Sequence, residues 1–145
     1  MRYATVFLRV SAVLWIIWGL VHLLAGVTIL SGDTTSGFQA IADGVAPEAL
    51  EREYPAAVGA VLSQHAWNLG WGGLVTMIGA VFIWRKNMTA VWVTAMIGGL
   101  LDVGYFVFID LGGYNRFVPG TVMTIISALA IALSFSVWFK QRRNV

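Results

Sequence analysis

Two histidines and one acid lie inside long apolar stretches of this chain, where ionisable side chains are rare. They are His22, His65 and Asp102. An imidazole beside a carboxylate can act as a general base whose ring the acid orients. The same side chains also occur as ligands of catalytic zinc and non-haem iron. These three residues are our candidates for catalysis.

The three groups are expected at similar depths in a membrane. Counting about 1.5 Å per residue from the midpoint of each stretch, both histidines lie about 8 Å toward the outside and Asp102 about 4 Å. An ionised Asp at a helix centre costs roughly 2.5–3.5 kcal/mol, and such residues usually face the interior with a partner. We expect Asp102 to point inward, where it either pairs with a histidine or binds a proton.

Other polar and aromatic side chains share this layer. Aromatic walls with a few convergent polar groups are typical of small-molecule sites, and a quinone or lipid oxygen could accept a hydrogen bond there. The alternative is that the layer only joins helices through interhelical hydrogen bonds. The candidate ligand-binding residues are His22, His65, Asn68, Asp102, Tyr105, Trp18 and Thr124.

A haem and a metal ion are further alternatives. His22 and His65 on neighbouring helices could be the two axial ligands of a haem, although the nearest basic partners for its propionates are Arg52 and Arg116. A metal held by the two histidines and Asp102 has suitable ligand types. No local His-x-x-x-His pair supports it, so we assign no metal site.

The composition indicates which elements must position these residues. Of the 145 residues, 59% are hydrophobic and 11% are charged, whereas soluble domains have about 45–50% apolar and about 25% charged residues. The sequence therefore predicts an integral membrane protein. The absence of cysteine excludes thiol catalysis, thiolate metal sites and iron–sulfur clusters.

Four apolar stretches are long enough to cross a bilayer, which needs about 20 residues per helix. They cover residues 4–30, 57–84, 88–111 and 117–139. Short connections after the second and third stretches favour antiparallel neighbours. We expect a single domain over residues 1–145, an all-α up-and-down bundle of four transmembrane helices.

The charges predict how the bundle is oriented. Seven of the nine basic residues fall on one side, and five of the seven acids fall in the loop 31–56 on the other. Positive charge favours the cytoplasmic side, so both termini are expected in the cytoplasm, and we see no basic pattern typical of nucleic-acid binding. The basic residues are Arg2, Arg9, Arg85, Lys86, Lys140, Arg142 and Arg143.

The two outer connections differ in length. The loop 31–56 has Phe38, Ile41 and Val45 at amphipathic spacing and Pro47 where a helix could start. It is either a short helix or lid on the bundle or a solvated connector. In the short second connection we expect Asp110 and Arg116 to form a weak ion pair.

Two segments resemble a known family. Residues 18–26 read WGLVHLLAG and residues 65–72 read HAWNLGWG. In length, four-span layout and a histidine on the first helix, the chain resembles the DoxX-like group of small bacterial membrane proteins. The resemblance implies a bundle in the bacterial cytoplasmic (inner) membrane, in a group sometimes associated with quinone-linked redox systems. It transfers no catalytic residues.

These observations leave two main functional hypotheses. In the first, the polar layer binds a quinone- or lipid-like small molecule, or a partner membrane subunit or second copy of the chain. In the second, the protein is a membrane enzyme of the oxidoreductase or isomerase type that acts on a lipophilic substrate through His22, His65 and Asp102. The bis-histidine haem protein is a third. Contact with the lipid bilayer is common to all.

Overall fold

The computed structural model describes residues 2–143, which form an all-helical protein with no strand in that range. Four helices are long and apolar enough to cross a membrane, which confirms the expectation of four helical spans. The elements are α1 (Arg2–Ser31), α2 (Thr34–Ile41), α3 (Pro47–Leu50), α4 (Ala56–Trp84), α5 (Met88–Tyr105), π1 (Phe106–Asp110), π2 (Phe117–Thr121) and α6 (Val122–Arg142). The segments π1 and π2 are π-helical.

The four long helices pack in a closed ring. Helix α1 lies against α4 and α6, and α5 completes the ring between them. The largest fully buried side chains are Trp15 and Trp18, both on α1. The remaining core residues are smaller, among them Leu8, Ala80, Ile83, Val91, Ala130 and Val137. Helix α1 therefore supplies the two bulkiest side chains of the core.

Helices α1 and α4 touch through their backbones along a seam formed by Gly19, Gly26 and Gly73. A Cβ at Gly19 would lie 2.5 Å from the carbonyl oxygen of Gly73, and one at Gly73 would collide with the carbonyl oxygen of Gly19. At Gly26 the Cβ would lie 2.6 Å from the carbonyl oxygen of Ala66. Small residues permit this approach between membrane helices. We call these three residues the glycine seam.

The loop 31–56 is ordered on the bundle. Asp33 begins α2 as its N-cap, because its Oδ1 accepts the backbone N–H of Ser36 at 2.7 Å. Phe38 and Ile41 then pack against a small buried cluster that includes Leu62. The amphipathic spacing thus corresponds to a helix packed on α1 and α4, whereas the stretch after Ala46 forms the single turn α3.

The segment after α2 is tied to the connection between α5 and α6. The backbone N–H of Arg116 donates to Oδ1 of Asp43 at 2.7 Å, and the N–H of Gly44 donates to the carbonyl oxygen of Tyr114 at 2.9 Å. A Cβ at Gly44 would lie 2.8 Å from the carbonyl carbon of Asn115. We call these two hydrogen bonds the loop staple. They hold α2 in place from its carboxyl end.

Candidate functional site

A cavity lies beneath α2, between the ends of the long helices. Its volume is about 90 Å³, several times the roughly 10–15 Å³ that one water requires. The polar part of its wall is His22, His65, Asp102 and Tyr105, and the apolar part is Val21, Ala25, Ile29, Ala40, Ile41, Leu69, Pro119, Gly120 and Met123. All elements except α3 and π1 contribute to this wall.

Asp102 is the buried acid of the site. Only 4% of the residue is exposed, and its Oδ2 accepts the indole N–H of Trp18 at 2.8 Å. Trp18 is completely buried, and a buried indole N–H normally has a hydrogen-bond partner. Helix α1 therefore supplies the donor that fixes one oxygen of a carboxylate on α5.

His22 lies one helical turn after Trp18 and contacts it in two ways, through ring stacking and through a hydrogen bond. The imidazole stacks on the indole with ring centroids 3.7 Å apart, and Nδ1 lies 2.8 Å from the carbonyl oxygen of Trp18. A carbonyl can only accept, so we assign the hydrogen to Nδ1. The other nitrogen, Nε2, faces Oδ1 of Asp102 at 3.8 Å.

The partner of Asp102 is thus His22. Its distance from Oδ1 exceeds that of a direct hydrogen bond but lies within the range of an ion pair. His65 reaches the same cavity from α4, yet the described residues contain no ion pair between it and Asp102. The two histidines therefore occupy different positions in the site, with only His22 coupled to the acid.

Three candidate residues do not line the cavity. Trp18 lies behind the wall and positions Asp102 and His22. Asn68 instead accepts the indole N–H of Trp71 at 3.1 Å. The hydroxyl of Thr124 donates to Asp110. The sequence signal for the role of Trp18 is its spacing of four residues from His22, which puts both on one face of a helix.

No protein-family model, curated protein or solved structure matches this chain. The function must therefore be inferred from the geometry of the cavity and the groups around it.

A second polar cluster surrounds Asp110, the last residue of π1. Its Oδ1 accepts from the amide of Asn115 and the hydroxyl of Thr121, both at 2.6 Å, and its Oδ2 accepts from Thr124 at 3.2 Å. The expected ion pair with Arg116 was wrong: within residues 2–143 no ion pair joins the two. Neutral donors occupy both oxygens of the carboxylate, and the backbone N–H of Arg116 bonds to Asp43.

The charge of the cavity wall restricts what the site can hold. The wall contains no lysine or arginine, and Asp102 is its only acid. The described residues also include no group of three His, Asp or Glu side chains arranged to hold a metal ion. Iron coordination by His22 would have to displace Asp102 from Nε2, so the geometry does not favour the haem alternative.

Proposed function

We propose that this chain is a small membrane protein whose cavity binds a lipophilic molecule with a polar oxygen, such as a quinone- or lipid-like compound. The observation that carries the proposal is the convergence of His22, His65, Asp102 and Tyr105 on one otherwise apolar cavity beneath α2. Predominantly apolar walls with a few placed polar groups are typical of small-molecule sites.

We further propose an up-and-down bundle with both termini in the cytoplasm. The support is the basic residues of the termini and of the α4–α5 connection, opposed by the acids of the loop 31–56, since positive charge favours the cytoplasmic side. In this orientation α2 covers the cavity from the outside. The resemblance to DoxX-like proteins supports the bacterial inner membrane as the location.

A membrane enzyme is the second candidate. Its support is the Nε2 of His22 facing the carboxylate of Asp102 across 3.8 Å at the cavity wall. In this proposal Nε2 of His22 is the general base toward a bound lipophilic substrate, the carbonyl oxygen of Trp18 orients the ring through Nδ1, and Asp102 stabilises the imidazolium that forms. His65, which lines the same cavity from α4, is the second acid–base group of an oxidoreductase or isomerase.

Native mass spectrometry of the protein purified in mild detergent tests ligand binding. We expect a lipophilic compound to stay bound to the wild type and to be lost from Leu69→Trp, which fills the cavity. Val61→Trp is the matched control, because Val61 lies on the same helix and is 68% exposed. Equal retention by both variants would contradict binding in this cavity and would favour annular lipid or a partner subunit.

A further inference from the structure

We propose that His22 and Asp102 share one proton and use it to hydrogen-bond the carbonyl oxygen of an uncharged ligand. This inference rests on the proposed function, since it names the chemical class of the molecule in the cavity. It concerns the gap of 3.8 Å between Nε2 and Oδ1, both of which belong to residues of the cavity wall.

The groups around the gap are short of one hydrogen. The carbonyl oxygen of Trp18 takes the hydrogen of Nδ1, and the indole N–H of Trp18 satisfies Oδ2 of Asp102. The hydroxyl of Ser127 also lies against Asp102, but its single hydrogen is donated to the carbonyl oxygen of Thr124 at 3.0 Å. A neutral imidazole carries one hydrogen only. Without a further proton, Nε2 and Oδ1 would face each other as two lone pairs. If either atom binds one proton, that atom becomes a donor and the other remains an acceptor.

The groups around Asp102 supply no permanent positive charge to balance its carboxylate. The ionisable groups that approach Asp102 are His22 from α1, His65 from α4 and Tyr105 from α5, with Asp110 in π1. None of them is a permanent cation. A carboxylate beside a neutral imidazole would therefore be an uncompensated charge in a membrane interior, which is costly. One proton makes the pair neutral overall, whichever residue carries it.

The protonated pair and the cavity wall together select the class of ligand. Because 3.8 Å is too long for a direct hydrogen bond between Nε2 and Oδ1, the proton on the pair remains available to an oxygen acceptor that enters the cavity. Carboxylates and phosphates are disfavoured, because the wall supplies no lysine or arginine to balance them and buried charges need a partner. A neutral carbonyl on an apolar body satisfies both conditions. This favours a quinone- or ketone-like head over an anionic lipid headgroup.

Spectroscopy of the wild type tests the shared proton. The chain has only two histidines, so ¹⁵N-histidine labelling gives two side chains to assign, and infrared spectra report the carboxyl groups. We expect either a protonated Nε2 on His22 or a protonated carboxyl that disappears in Asp102→Asn. A neutral His22 with an ionised Asp102 would overturn the proposal.

Binding of defined probes tests the ligand class. The probes are a short-chain ubiquinone analogue, decanoate and phosphatidylglycerol, and their affinities are measured by isothermal titration calorimetry in the same detergent. We expect the quinone to bind best and to lose about tenfold in affinity in Asp102→Asn, the effect of one hydrogen bond to a charged or shared proton. Glu48→Gln, the control, changes an exposed acid away from the cavity.

The outcomes separate this inference from the proposed function. Tighter binding of decanoate or phosphatidylglycerol, abolished by Leu69→Trp, would leave a ligand-binding cavity but overturn the neutral carbonyl ligand. Binding of none of the probes, together with equal retention in native mass spectrometry, would contradict both. If Asp102→Asn does not fold, His22→Gln serves instead, and the wild-type spectra still decide the protonation state.

Discussion

Trp18 connects three features of the site through one side chain and its backbone. The indole N–H fixes Asp102, the ring stacks on His22, and the carbonyl oxygen sets which nitrogen of His22 carries hydrogen. A phenylalanine would keep an aromatic ring beside His22 but would lose the N–H donor, together with part of the buried volume of the indole. The residue is therefore a direct test of how much this contact with Asp102 contributes to stability.

We expect Trp18→Phe to destabilise the protein by about 1–3 kcal/mol, since it leaves a buried carboxylate oxygen without its donor. Thermal unfolding in detergent measures the loss. Trp67→Phe is the control, because Trp67 is 64% exposed. Equal melting temperatures for the two variants would show that the bond between Trp18 and Asp102 contributes nothing to stability.

The N-cap of α2 is expected to depend on pH through Asp33, which lies outside the membrane spans. Its pKa lies below the ordinary value because the carboxylate accepts hydrogen bonds from Ser36, chiefly from the backbone N–H. A lowered pKa in the folded state means that the cap contributes fully above the ordinary pKa of about 3.9. The contribution is lost as the pH falls through the lower, folded-state value.

We therefore expect the amide signal of Ser36 to stay constant from neutral pH down to about 4, the ordinary range of an Asp pKa, and to shift only below it. An NMR titration follows this signal. Asp33→Asn should retain the cap without the titration. A shift centred near neutral pH would contradict the assignment of Asp33 as the titrating group.

At the scale of elements, the glycine seam determines how closely α1 and α4 approach. A methyl group at Gly73 would meet the backbone of α1 at Gly19 and Leu23, and backbone atoms cannot move aside as a flexible side chain can. At Gly70, on the same helix, an added Cβ meets no atom within 4 Å. The two positions therefore differ in the room that each leaves for a side chain.

Gly73→Ala should separate the helices and lower the stability by about 1–3 kcal/mol, the usual cost of overpacking. Gly70→Ala should be neutral or slightly stabilising, because alanine favours helix. Thermal unfolding in the same detergent compares them. A Gly70→Ala variant as unstable as Gly73→Ala would show that the close contact is not responsible.

The loop staple is expected to control access to the cavity. The chain has no cysteine, so Ala25→Cys introduces a single thiol in the cavity wall. Adding Asp43→Ala removes one of the two hydrogen bonds that hold the segment after α2. We expect the rate of maleimide labelling to rise severalfold, because α2 then opens more often.

Arg116→Ala is the matched control for the staple. The hydrogen bond uses the backbone N–H of residue 116, which alanine retains. The labelling rate of this variant should equal that of the parent Ala25→Cys protein. Equally fast labelling in the Asp43→Ala and Arg116→Ala variants would show that the loss of either side chain loosens this region without any special role of the staple. No change with Asp43→Ala would show that the staple does not limit access.

Helices were easier to predict from sequence than the site. Length and apolar composition are sufficient to recognise a helix that could cross a membrane, and the structure has four such helices, as expected. The rotation of each helix about its axis depends on packing between helices, which hydropathy does not report. The preference of Asp102 for His22 over His65, and the cluster around Asp110, follow from that packing.

For the whole molecule, the orientation in the membrane stays a prediction with a direct test. A single cysteine at Glu53 should react with an impermeant maleimide on intact cells. A single cysteine at Lys86 should react only after the cells are made permeable, because positively charged connections stay in the cytoplasm. The reverse pattern would invert the orientation and turn α2 toward the cytoplasm.

The glycine seam has a consequence for the chemistry of the protein as a whole. A rotation of α1 by one residue, about 100°, would carry Trp18 and His22 away from Asp102. Backbone contact at Gly19 and Gly73 leaves no room for that rotation. The glycine seam thus fixes the rotation of α1 relative to α4. The alignment of Trp18 and His22 with Asp102 therefore depends on residues that have no side chain.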